Sequence, residues 1–117
     1  MNTQQRDYIW NSFLTANEAF HEGRYSKAGR LFKEVLQESA EFGELDPRLD
    51  GSACSLAETY CRQGAFSDAA ALYRAVSAVR RKILGPKHPQ VLEAERKLAD
   101  ALWQVGCLTP GVLARQN

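Results

Sequence analysis

The sequence lacks the marks of a secreted, membrane-spanning or nucleic-acid-binding chain. No stretch approaches the roughly 18 apolar residues of a membrane helix, and the opening MNTQQRDYIW has no apolar segment behind a basic start. With 15 Lys and Arg against 14 Asp and Glu, the net charge of +1 is too small to draw the chain to nucleic acid or anionic lipid. We therefore expect a cytoplasmic protein with no nucleic-acid partner and no membrane insertion.

Cysteine and histidine are too scarce and too scattered for metal or redox chemistry. The three cysteines, Cys54, Cys61 and Cys107, contain no C-x-x-C pair. On one helix, Cys54 and Cys61 would lie about 10 Å apart, beyond the reach of a disulfide. His21 and His88 fall in different segments and add too few ligands for a metal site. We expect reduced thiols that fill small spaces, and no metal.

Catalytic and cofactor-binding motifs are absent from the sequence as well. Neither histidine has a motif around it, and a nucleophilic or acid–base site needs groups that position one another. We interpret the glycines as marks of helix ends and turns, and they form no phosphate-binding loop. The basic stretch VRRKILGPKH is explained by a solvated helix end, where cations near the C-terminus are favourable. We expect a protein without enzymatic activity or cofactor.

What the sequence does contain is an internal repeat. Gly23, Gly64 and Gly106 follow one another at spacings of 41 and 42 residues. The stretches FGELDPRL and LGPKHPQV likewise place a Gly and a Pro four residues apart, 42 positions from one copy to the next. Small residues recur seven before and five after each aligned glycine: Ala16 and Ala28, Ala57 and Ala69, Ala99 and Gly111. Small pairs of this kind allow two helices to approach closely.

Each copy has the apolar periodicity of two helices. The aligned glycines predict tight turns at 23, 64 and 106, because only glycine is free of strain at positive φ. Asp46-Pro47 and His88-Pro89 predict a capping side chain followed by Pro at the first helical position. Arg74, Arg80, Arg81 and Lys82 are expected to turn mostly to solvent. The predicted helices span 3–22, 25–42, 47–63, 66–84, 89–105 and 110–116.

This pattern resembles the tetratricopeptide repeat (TPR), in the 42-residue variety found in kinesin light chains and many bacterial proteins. The resemblance implies an all-α fold, a right-handed α-α superhelix of about two and a half helix-turn-helix repeats. The whole chain, 1–117, would be one domain, with repeat one at 3–43, repeat two at 47–85 and a partial repeat three at 89–117. Copy one departs from the family pattern, having Ser12 and Thr15 where larger apolar residues are usual. A generic helical bundle with accidental periodicity is the alternative.

The resemblance also implies a function, that of an adaptor that binds a peptide segment of a partner protein in its concave groove. Exposed aromatic and arginine side chains are the usual anchors of such recognition. Carrying over the groove-facing positions of the family gives Trp10, Phe13, Asn17, Phe20, His21, Glu58, Arg62, Arg96, Lys97, Asp100 and Trp103.

Two alternatives to a working groove remain open at this point. The aromatic residues of the first helix would lose their binding role if they packed into the end of the core. The shortened third copy also suggests a self-associating scaffold, a homo-oligomer formed through the open end beside the helix at 89–105.

Overall fold

The computed structural model describes residues 3–42 and 46–108, and these form five α-helices without any strand. The helices are α1 (Thr3–His21), α2 (Tyr25–Phe42), α3 (Pro47–Arg62), α4 (Phe66–Leu84) and α5 (Pro89–Leu108). The all-α prediction is confirmed, and α2 and α4 have the predicted bounds. The sixth predicted helix, at 110–116, and the predicted cap at Gly43 lie outside the described residues.

Successive helices pack as antiparallel hairpins, α1 with α2 and α3 with α4, and α5 packs on α4. The molecule measures 56 × 35 × 18 Å. Its smallest dimension matches two layers of helices at an interaxial distance of about 8–10 Å. One layer contains α1, α3 and α5, and the other contains α2 and α4. This is the arrangement of a TPR-like array.

Two of the three predicted glycine turns are present. Gly23 and Gly64 have φ of 81° and 78°, and in each case the next residue donates its amide five residues back to close the turn. The prediction of a third turn at Gly106 is wrong, because α5 continues through this residue to Leu108. Glycine accepts helical φ as readily as positive φ, so it marks a turn only where packing of the next helix demands one.

The predicted caps start α3 and α5. The Asp46 carboxylate accepts the amide of Arg48 at 2.8 Å, and the His88 ring accepts the amide of Gln90 through Nδ1 at 3.1 Å. In both helices Pro occupies the first helical position, where no backbone donor is needed. Two short sequence signals therefore fix where the second and third copies begin.

The small-residue prediction holds in the first two copies. Ala16, Ala28, Ala57 and Ala69 are fully buried, so the paired helices approach closely at these points. Ala99, the equivalent residue of the third copy, is exposed. Its expected partner, Gly111, lies outside the described residues. The core also contains larger apolar side chains, and the largest that are fully buried are Phe32, Leu36, Leu49, Leu56, Leu72, Val35, Val76, Val79 and Val91.

Gly29 allows a second close approach, between α2 of the first repeat and α3 of the second. It lies inside α2, where a Cβ atom would come within 2.5 Å of the Tyr60 hydroxyl oxygen and 3.4 Å of its ring. Tyr60 is buried in α3, and its hydroxyl donates to the carbonyl oxygen of Tyr25. The absence of a side chain at residue 29 therefore lets Tyr60 join α2 to α3.

Arg80 corrects the expectation that the basic residues of α4 face solvent. It is only 7% exposed, and its guanidinium forms a two-pronged pair with Asp50 of α3, with Nε 3.0 Å from Oδ1. Its Nη1 donates to the carbonyl oxygen of Gln90 in α5 at 2.8 Å, and its Nη2 lies 3.6 Å from the Cys54 sulfur. One buried side chain thus holds three helices together.

We predict opposite effects for alanine at two helical glycines. Gly51→Ala should stabilise the protein by about 0.5–1 kcal/mol, because residue 51 lies in α3 with open space around it and Ala is the better helix former. Gly29→Ala should instead lower the free energy of unfolding, because the new methyl group meets the Tyr60 hydroxyl. Urea unfolding measures both.

Tyr60→Phe is the control for this contact, because it removes the clashing oxygen. Gly29→Ala should cost less in the Tyr60→Phe background than in the wild type. An equal cost in the two backgrounds would contradict the proposed contact.

Candidate functional site

The groove-lining helices run side by side in the same direction. The middle of α1 meets the first turn of α3 at Trp10 and Arg48, and the last turns of α3 meet the middle of α5 at Glu58 and Lys97. Two contacts between neighbouring helices, Trp10 with Arg48 and Lys97 with Glu58, therefore involve predicted site residues of α1, α3 and α5.

A cavity of about 350 Å³ opens between α1, α2 and the start of α3. We call it the head cavity. Its apolar lining is accompanied by charged groups of both signs at the mouth, a combination typical of binding sites. The lining residues are Arg6, Asp7, Ile9, Trp10, Phe13, Ser39, Asp46, Arg48 and Leu49.

Trp10 and Arg48 form one wall of the head cavity. The guanidinium carbon of Arg48 lies 4.4 Å from the centre of the Trp10 ring, within the range of a cation–π contact. The Asp46 carboxylate holds the guanidinium in this position, with Nη2 3.1 Å from Oδ2. The same carboxylate caps α3, so the helix start and the cavity wall are built by one residue.

The structure divides the predicted aromatic anchors into core and surface. Phe13 is only 6% exposed and lies between the rings of Trp10 and Phe32, at centroid distances of 5.3 and 6.3 Å. It belongs to the core, so its assignment to the groove surface is corrected. Phe20 is half-buried against Tyr25. Trp10, also half-buried, borders the head cavity with part of its ring exposed, whereas Phe13 lines the same cavity from the core.

At the other end of the groove, Lys97 of α5 lies between two glutamates. Its Nζ is 3.6 Å from Glu58 of α3 and 3.3 Å from Glu93, one turn earlier in α5. This bridge uses two of the predicted groove residues to join neighbouring helices. A hollow of about 200 Å³ lies beside it, lined by Cys61, Phe66, Tyr73, Lys97, Asp100, Ala101 and Gln104.

The remaining predicted groove residues differ in their exposure. Arg62, Arg96, Asp100 and Trp103 are exposed, and Trp103 shows 61% of its surface. His21 is exposed beside the ring of Phe20, and Asn17 is half-buried. Arg96, Asp100 and Trp103 of α5 are therefore open to a partner, whereas the predicted aromatic residues of α1 are buried or half-buried.

The two described thiols have the environment of unreactive cysteines. Burial raises the pKa of both Cys54 and Cys61, and nearby carboxylates raise it further. The thiolate is the reactive form, so a raised pKa disfavours nucleophilic or redox chemistry. Within residues 3–42 and 46–108, no three His, Cys, Asp or Glu side chains are grouped as a metal site, and no helix is both long and apolar enough to cross a bilayer.

Sequence reasoning missed the charged half of the head cavity. Arg6, Asp7 and Arg48 were not among the predicted site residues, although all three line it. The parallel course of α1 and α3 was the available signal, since it places the start of each helix beside the start of the other. Residues just after the Asp46-Pro47 cap should therefore have been considered with the first turns of α1.

Comparison with known proteins gives one family match. Residues 51–90 match a family model described as Tetratricopeptide repeat. The matched segment covers most of α3, all of α4 and the start of α5. Searches of curated proteins and of solved structures found no match.

We predict that the Asp46 cap loses strength in acid. Its hydrogen bonds with the Arg48 side chain and amide hold the pKa of the carboxyl below its ordinary value of 3.8. The carboxylate therefore stabilises the fold at pH values above 3.8, and this contribution disappears as the pH falls through the lower folded-state pKa. Asp46→Ala should cost about 1 kcal/mol at neutral pH and less in acid.

Asp46→Asn is the matched control, since its amide oxygen caps the helix without titrating. The unfolding free energies of wild type and the Asn variant should converge as the pH falls. The effect is expected to be small, about 0.5 kcal/mol, because the pair is exposed. A gap that widens in acid would contradict the assignment.

Proposed function

We propose that the chain is a non-enzymatic adaptor that binds a peptide segment of a partner protein along α1, α3 and α5. The match of residues 51–90 to the tetratricopeptide repeat model supports this, because members of that family are typically protein-interaction modules. The head cavity carries this proposal, because it supplies an anchor point that a flat helical surface would lack. We infer the 42-residue variety of the repeat from the two Gly-x-x-x-Pro spacings.

The head cavity suits one bulky apolar side chain of the bound segment. Its volume of about 350 Å³ exceeds that of a single side chain, and Ile9, Trp10 and Leu49 offer apolar contact. Arg6 and Asp7 stand at the same opening, so polar groups flanking the inserted side chain meet charges of either sign. We propose a partner segment with an aromatic or large aliphatic residue beside charged ones.

Further along the groove, the basic side chains differ in whether they are already held in ion pairs. Lys97 is already bound to Glu58 and Glu93, so it would contact a partner carboxylate only at the expense of these bridges. Arg62 and Arg96 are exposed, and no such bridge occupies either of them within the part of the chain described. We assign carboxylate recognition to these two arginines rather than to Lys97.

A substitution that blocks the head cavity tests its role in peptide binding without removing a core side chain. Phe13→Ala is unsuitable, because truncating a buried Phe costs about 3–5 kcal/mol. Asp7→Trp places a ring at the mouth of the cavity from an exposed position of α1, and Glu18→Trp is the control on the same helix, remote from the cavity. Both variants should unfold cooperatively, like the wild type.

The probe is a peptide-display library selected on the wild-type chain. Enriched peptides should share a bulky apolar residue and bind with micromolar dissociation constants. By fluorescence anisotropy, Asp7→Trp should weaken their binding at least about tenfold, or about 1.4 kcal/mol, and Glu18→Trp should leave it unchanged. Equal binding by the two variants, or no enrichment, would contradict the adaptor function at this cavity.

A second candidate function, self-association as a scaffold, is favoured by the apolar surface of α5. Leu92, Leu102 and Trp103 are 54%, 42% and 61% exposed there. Isolated apolar residues on a surface are ordinary, but three on one helix form a patch of the kind that protein contacts use. Sedimentation over a concentration series measures this: a mass above 13.1 kDa supports the scaffold, and a monomer at millimolar concentration contradicts it.

A further inference from the structure

The exposed apolar residues of α5 form a stripe along one side of the helix. Leu92, Ala99 and Trp103 are spaced by seven and four residues, which keeps them within about 40° of one another around the helix axis. Arg96 is exposed in the same stripe, and Leu102 borders it. We call this surface the tail face. It lies on the side of α5 opposite the buried Val91, Ala94 and Ala101.

The opposite end of the array has a groove of different character. A shallow groove of about 360 Å³ runs between the first turns of α1 and the last turns of α2, lined by Gln4, Gln5, Tyr8, Glu38 and Glu41. Tyr8 is 59% exposed. We call this surface the head face. Since α1 and α2 do not pack against α5, the two faces lie at opposite ends of the array.

The charges of the two faces are complementary. Glu34, Glu38 and Glu41 follow one another along α2, and partial burial together with the charges of Glu34 and Glu41 raises the pKa of Glu38. An approaching cation would relieve this repulsion. The tail face offers the exposed Arg96, and no carboxylate pairs with this arginine within residues 3–42 and 46–108.

We propose that the head face of one copy of this chain binds the tail face of another, with Trp103 entering the shallow groove beside Tyr8 and Arg96 meeting the glutamates of α2. This inference rests on the second proposed function, self-association, and specifies its geometry. The contact joins two different surfaces, so it leaves a free face at each end and propagates into an open chain of copies rather than closing as a symmetric dimer.

The proposed contact is weak. Each face presents a few apolar side chains, well short of the roughly 800 Å² per partner of a stable interface. Association at high micromolar concentration is therefore expected. Because opposite charges contribute, added salt should weaken it, whereas a purely apolar contact would be strengthened by excluded salts such as sulfate.

Complementation between two disabled full-length variants tests the geometry. Trp103→Glu disables the tail face, and the double variant Glu38→Lys with Glu41→Lys disables the head face. Each variant alone should sediment as a monomer at concentrations where the wild type associates. Mixed in equal amounts, they retain one intact face of each kind and should form a species of twice the monomer mass, with no further growth. Lys27→Glu, a charge reversal at an exposed position in the first turn of α2, is the control and should associate like the wild type.

Other results would overturn the proposal in distinguishable ways. If the Glu38→Lys, Glu41→Lys variant still dimerises, self-association stands but is a symmetric contact through α5. If the wild type stays monomeric at every concentration, both the geometry and the scaffold function fail.

Tryptophan fluorescence gives a second test. In a Trp10→Phe background, the emission of Trp103 should shift to shorter wavelength only as concentration rises. A short-wavelength emission that is independent of concentration would show that the same chain covers the tail face.

Discussion

The arrangement of the second and third copies depends on one buried guanidinium. Arg80 of α4 is held by Asp50 of α3 and in turn holds the Gln90 carbonyl of α5. Burying a charge is unfavourable unless its partners are complete, and here both ions and the remaining donors are satisfied. Removing one partner of such a pair typically costs about 3–5 kcal/mol. The pair therefore sets where α5 lies relative to α3.

That position has a direct consequence for the groove. With α5 fixed beside α3, Lys97 reaches Glu58, and the side chains of both helices face the same side of the array. At the other end, Tyr60 and Gly29 join α3 to α2, and Arg48 reaches across to Trp10. Each helix of the groove is thus tied to its neighbour by a different contact. A surface of this kind is pre-organised for the partner binding that we propose, because its side chains have little conformational entropy left to lose.

Local signals in the sequence predicted most of the fold. The Asp46-Pro47 and His88-Pro89 caps and the glycines at 23 and 64 act within a few residues, so the helix bounds followed from them. Gly106 shows the limit, because a turn also needs a following helix to pack against. The burial of Arg80 was missed, since its partner Asp50 lies 30 residues away and the adjacent Arg81 and Lys82 suggested a solvated helix end. Phe13 was misplaced because periodicity alone does not tell a groove side from a core side.

Native-state hydrogen exchange tests the coupling through Arg80 most directly. If Arg80 joins α5 to α3 and α4, the amides of α5 around Ala94 and Ala101 should open with nearly the same free energy as those of α4. In Arg80→Met they should open at distinctly lower free energy than the amides of α4. The coupling would be contradicted if the difference in opening free energy between α5 and α4 were the same in the wild type and in Arg80→Met.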